Sequence, residues 1–180
     1  MRLVSLIIIS FLLSGCYLTT ENYQIKSSFS SPDVSWINEE GDATITGQAF
    51  LNQKGGGVVT CAGKQVNLIP KTTYSSERIN KIYGSLSKGY KDYYAVNIVF
   101  EPSTPQNYYT YQRKTICDAQ GNFKFKNVPS NKEYFIIMNI AMGGGYPETS
   151  SVPSDFEYAE MVVKNVSYQI TSLTNYTLDL

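Results

Sequence analysis

Histidine is absent from this 180-residue chain. Its absence removes Ser-His-Asp and Cys-His catalysis, and also the commonest ligand of zinc. Net charge is absent too, with 15 Lys+Arg against 15 Asp+Glu. That balance gives no electrostatic reason for a nucleic-acid partner, and none is expected. No apolar run is long enough for a membrane-spanning helix. Leu3–Leu13 covers 11 residues, where a span requires roughly 20. Cysteine is scarce, limited to Cys16, Cys61 and Cys117. No catalytic residue, metal site or cofactor is expected.

What is present begins at the N-terminus. Arg2, an apolar middle and the small residues Ser14-Gly15 have the order of a secretory leader. Leu13-Ser14-Gly15-Cys16 resembles the lipobox of bacterial lipoproteins. That resemblance implies cleavage before Cys16, a diacylglyceryl thioether on its sulfur, and attachment to a membrane through the lipid. Acyl chains contribute roughly 0.8 kcal/mol per buried CH₂, and stable anchoring takes more than one chain. Tyr17, rather than aspartate, follows the cysteine. In a lipoprotein this implies the cell outer membrane, with the domain facing the periplasm or the surface. The expected division is a signal peptide over 1–15, a lipidated N-terminus and polar tether over 16–41, and one domain over 42–180.

Export leaves Cys61 and Cys117 as a pair in a compartment where disulfides persist. A bridge between them closes a loop of over 50 residues; in the chain-entropy model it is worth roughly 4 kcal/mol. Two unconnected buried thiols are the alternative at this point.

The 15 tyrosines suit half-buried strands. Ala43–Leu51 alternates, Gly55–Gly57 breaks the pattern, and Val58–Thr60 leads to Cys61. Gln65–Pro70 puts Val66 and Leu68 on one face. Ile79, Ile82, Tyr83 and Leu86 at i, i+3, i+4 and i+7 predict one short inserted helix near 75–88, capped by Ser75 or Ser76 and ended by Gly84 or Gly89. Tyr93–Phe100 reads as a strand. Tyr108–Cys117 and Asn122–Lys126 read as a hairpin about Asp118-Ala119-Gln120-Gly121. Tyr134–Met142 is a strand buried on both faces or a helix; its β-branched and aromatic residues favour the strand. A long loop runs from 143 to 155, and Met161–Val166 and Tyr176–Leu180 finish the chain as strands. The fold class is therefore mainly β: a single antiparallel β-sandwich of about seven strands.

Thr115, Asp118, Gly121, Phe123, Phe125, Val128, Pro129 and Tyr134 stand at the spacing of a signature. It resembles that of the carboxypeptidase regulatory-like domains, the prealbumin-like domains and the collagen-adhesin B-type repeats. Ile45–Ala49 and Val66–Pro70 are similar to their opening strands. The resemblance covers roughly Ala43–Met142 and implies a prealbumin-like sandwich serving as spacer, stalk or binding surface. The chain departs from the pattern in a long insertion, Lys71–Asn107, and in Ser130-Asn131-Lys132 where a glycine is usual.

Other candidate chemistry has simpler explanations. Ser85-Leu86-Ser87-Lys88 matches Ser-x-x-Lys, but its companion motifs are missing. Asp118–Asn122 suits a turn better than a calcium loop. Glu39-Glu40, Glu157 and Glu160 read as solvated carboxylates. The tyrosines of 88–94 and 108–111 are either strand residues beside the core or a contact surface. The expected function is a membrane-anchored envelope lipoprotein, acting as a non-catalytic binding or structural module with an envelope protein or glycan as partner. The alternative is a lipid-anchored cell-wall hydrolase or enzyme inhibitor.

Overall fold

Every residue of Tyr134–Met138 is buried, because this strand lies between two hydrophobic layers. Tyr134, Ile136 and Met138 face one layer, while Phe135 and Ile137 face the other, as the two-residue period of a strand requires. The rest of the molecule is arranged about it. The computed structural model describes residues 20–52, 58–89, 96–138, 160–163 and 173–176, with the backbone alone at 51–52, 88–89, 160–163 and 173–176.

The described elements are β1 (Thr20–Gln24), a 3-10 turn (Ser35–Asn38), β2 (Ala43–Asn52), β3 (Val58–Thr60), β4 (Gln65–Pro70), α1 (Thr73–Tyr83), β5 (Lys88–Gly89), β6 (Asn97–Glu101), α2 (Gln106–Thr110), β7 (Arg113–Ile116), β8 (Asn122–Val128), β9 (Tyr134–Met138), β10 (Glu160–Val163) and β11 (Leu173–Tyr176). One sheet has the order β5-β10-β9-β4-β7, and its described pairings are antiparallel. The other is built on β2, which pairs antiparallel with β3 and β8 and parallel with β11. Ile45, Phe123, Phe125 and Val128 of the second sheet meet Val66, Leu68, Tyr134 and Ile136 of the first. This is the expected antiparallel β-sandwich, with more strands than the seven anticipated and one parallel partner, β11.

The turn at 118–121 departs from the expectation. Asp118–Gly121 does turn the chain, with Gly121 N donating to Asp118 O at 3.0 Å. But β7 pairs with β4 and β8 pairs with β2, so the predicted hairpin is a corner between sheets. A second corner joins β3 to β4 through Cys61–Lys64, where Lys64 N donates to Cys61 O at 2.8 Å. Cys61 and Cys117 form a disulfide that ties these two corners together. Both cysteines are buried in the inter-sheet core.

The predicted strand Tyr108–Cys117 forms only over Arg113–Ile116. Its start belongs to α2, where Pro105 supplies an extended N-cap with φ −61° and ψ 138°. The helix near 75–88 is α1. It begins earlier, because the Thr72 side chain accepts from Ser75 N at 3.1 Å while Ser75 Oγ accepts from Thr72 N at 2.8 Å, which closes a capping box. It ends at Gly84, whose φ of 71° is left-handed.

The polar stretch 16–41, expected as a tether, is part of the fold from Thr20 onward; residues 16–19 lie outside the described residues. β1 pairs in parallel with β6, from Thr20↔Asn97 to Gln24↔Glu101. Ile25, Val34 and Ile37 are buried. The Ser/Asn-rich composition hid this, because a few apolar residues suffice when their partners come from elsewhere. Together, β1, β6 and α1 cover the outer face of the β4–β9 sheet and enclose a second core. It holds Ile25, Ile69, Tyr74, Ile79, Phe100, Tyr108 and Phe135 among others.

Candidate functional site

Four residues of the second core, Tyr74, Ile79, Tyr83 and Phe100, come from the Lys71–Asn107 insertion, where the chain departs from the pattern it resembles. Two adjacent residues of α1, Glu77 and Arg78, make it chemically distinctive.

Glu77 reaches toward the N-terminal segment. Its carboxylate accepts from Lys26 N at 2.8 Å, Ser27 N at 2.8 Å, Ser27 Oγ at 2.5 Å and the Tyr23 hydroxyl at 3.1 Å. Burial pushes the Glu77 carboxyl up. The hydrogen bonds, led by Ser27, outweigh it and hold the group down at about 2. Burial, and then the same contact with Glu77, raises the Tyr23 phenol. One turn on, Lys81 Nζ pairs with Glu21 at 2.6 Å and stands 5.1 Å over the Tyr23 ring. Helix α1 therefore grips β1 by an acid and a base one turn apart on one face.

Arg78 turns the other way and is 5% exposed. Its guanidinium lies 4.1 Å from the Phe100 ring centroid, 5.0 Å from Tyr108 and 6.0 Å from Tyr74. Nη1 donates to Thr104 Oγ1, and Nε has no hydrogen-bond partner among the described residues. The ion pairs among the described residues are Lys71–Glu133 and Lys81–Glu21, so none neutralises this cation. Ring contacts of roughly 0.5–2 kcal/mol each offset part of its desolvation. Phe29 closes the cluster edge-on against Tyr74 and Tyr108, at 5.7 and 6.0 Å.

Of the expected site residues, Leu13, Ser14, Gly15 and Cys16 lie outside the described residues, as does the 143–155 loop. Tyr108 is buried, and Tyr109 and Tyr111 are half-buried, so this tyrosine group packs as core rather than forming an open platform. The tyrosines at 90–94 lie outside the described residues. Ser85 Oγ accepts from Ser87 N at 3.1 Å in a bend after α1. The Asp118 carboxylate accepts from Gln120 N, Asn122 N and the Asn122 amide at 2.8–3.2 Å; the Asn122 side chain leads in holding it below its ordinary value. Glu39 and Glu40 are exposed. Among the described residues no group of three or more His, Cys, Asp and Glu is placed to hold a metal.

The sequence reading missed Glu77 and Arg78. Each is an ordinary helical charge in the sequence. Only docking of 20–31 and 97–108 onto α1 buries Arg78 and gives the half-buried Glu77 its partners.

No protein-family model matches the chain, and no curated protein matches it. Among solved structures it is similar to a Pseudomonas aeruginosa protein described as a "putative carbohydrate binding protein", at 18% identity over 84% of this chain and 97% of that one, with a TM-score of 0.53. The two share a fold.

Proposed function

We propose that this protein is a lipid-anchored, non-catalytic binding module of the bacterial envelope, with a glycan as its ligand class. Cys16 carries the lipid, and the outer membrane is its location. The observation that carries the non-catalytic reading is how the polar side chains are used. Asp118 organises a corner, Ser75 caps a helix, Glu77 clips β1, and Arg113 Nε and Nη1 donate to the carbonyls of Ile37 and Asn127 at 2.6 and 2.7 Å. Each holds backbone in place. The glycan class is supported by the fold shared with the Pseudomonas aeruginosa protein; fold likeness gives a direction for testing and no more. Phe123, Phe125, Val128 and Tyr134 of the prealbumin-like signature are core residues that hold the fold; a binding role is what the resemblance implies.

The test is a panel of oligosaccharides titrated against the purified full chain, with new reducing ends monitored. Saturable binding without cleavage is expected. Cleavage of any panel member would make the protein a hydrolase, and no binding across the panel would remove the glycan class.

A further inference from the structure

We propose that the Thr20/Asn97 end of the β1–β6 pair rests on the bilayer headgroup surface, with Val96 and Val99 as its apolar contacts. This rests on the lipid-anchor reading of Cys16. Four residue steps separate Cys16 from Thr20, and each spans at most about 3.6 Å. The start of β1 therefore lies within about 14 Å of the Cα of the lipid-bearing Cys16. The headgroup layer takes up roughly 5–8 Å of that, which leaves too little chain for the domain to stand away from the surface.

The strand cannot swing free to lengthen this reach. It is paired with β6 along its whole length, bridged to α1 by Glu21–Lys81 and followed at once by the Glu77 clip. Tyr23 and Phe100 turn inward, edge-on at 5.8 Å. Thr20, Asn22 and Val99 are exposed, and Val99 is beside Asn22 in the register. Val96 and Val99 are each 40% exposed; Val96 directly precedes the Asn97 end beside which the lipid-bearing segment enters, and Val99 lies two residues further along β6. Glu21 is paired with Lys81, so an uncharged headgroup surface suffices as partner.

The test uses the full chain, purified from membranes and returned to phosphatidylcholine vesicles carrying a headgroup quencher, with mass spectrometry reporting lipid on Cys16. Bimane is placed by V96C or V99C. The comparison sites are V58C and I116C, 59% exposed and on strands that pair with neither β1 nor β6. Quenching at 96 and 99 is expected to exceed that at 58 and 116 at least two-fold. Equal quenching at all four sites, with Cys16 lipidated, overturns the docking surface and leaves the anchor standing. An unlipidated Cys16 overturns both.

Discussion

Ser27 gives Glu77 two hydrogen bonds at once, its N–H at 2.8 Å and its hydroxyl at 2.5 Å, both to Oε2. The carboxylate thus acts as a cap for a chain segment fifty residues away in sequence. Removing it strands the Lys26 and Ser27 donors. Glu77→Ala is expected to lower stability by about 1–3 kcal/mol, measured by urea denaturation at pH 7. Hydrogen exchange should rise first in 20–27.

The same contact sets an acid response. The folded Glu77 sits at about 2 instead of 4.5, so its contribution is complete above pH 4.5 and is lost as pH falls toward 2. Glu77→Gln should flatten the melting temperature over that window relative to the unsubstituted protein. An unchanged slope would mean that other carboxylates carry the acid response.

The Cys61–Cys117 bridge joins residues 56 apart. In the chain-entropy model its loss costs roughly 4 kcal/mol. The C61A/C117A double variant is expected to melt well below the oxidised protein, and addition of reductant should leave the variant unchanged. A variant as stable as the oxidised protein would show that the two corners hold without their link.

Arg78 is a buried cation whose described surroundings are rings and one hydroxyl. Replacing such a charge with an apolar chain of similar length is often neutral or stabilising, whereas truncation leaves the rings unsupported. Arg78→Met is expected to stay within about 1 kcal/mol of the unsubstituted protein, and Arg78→Ala to lose about 2–4 kcal/mol by analogy with large-to-small core changes. Equal losses for both would mean that the charge itself is held by a partner.

Gly41 and Gly63 separate two reasons for glycine. A Cβ at Gly41 would stand 2.3 Å from the Val128 carbonyl and Pro129 N, while Gly63 has φ +72° and open space around it. Gly63→Ala should cost about 1 kcal/mol through backbone strain. Gly41→Ala has to displace backbone and should cost more, about 1–3 kcal/mol. Thermal melts of the pair check the order.

The central sandwich was legible in the sequence because its signals are local. Val66, Leu68, Phe123 and Phe125 alternate with polar residues, and the stripe through Ile79 and Tyr83 marks the helix. Pairing across the molecule left no such mark. Nothing around Asp118 distinguishes a hairpin from a corner, since that depends on which strand β7 and β8 each meet. Residues 20–38 read as a tether because their partners, Glu77, Phe100 and Lys81, lie far along the chain. The Glu77–Arg78 site was invisible for the same reason: its burial is a property of three segments meeting.

The parallel pairing of β1 with β6 sets an order of events. Gln24 and Glu101 are 77 residues apart, so a chain threaded from its N-terminus exposes β1 long before its partner arrives. Closing that span carries a loop-entropy cost that a local hairpin avoids, and an isolated two-stranded pair is marginal alone. β1 therefore docks late in folding, and the Glu77 and Glu21–Lys81 contacts then hold it in place. Pulled from its N-terminal end, the molecule should yield there first, peeling one strand while the disulfide-bound sandwich stays closed.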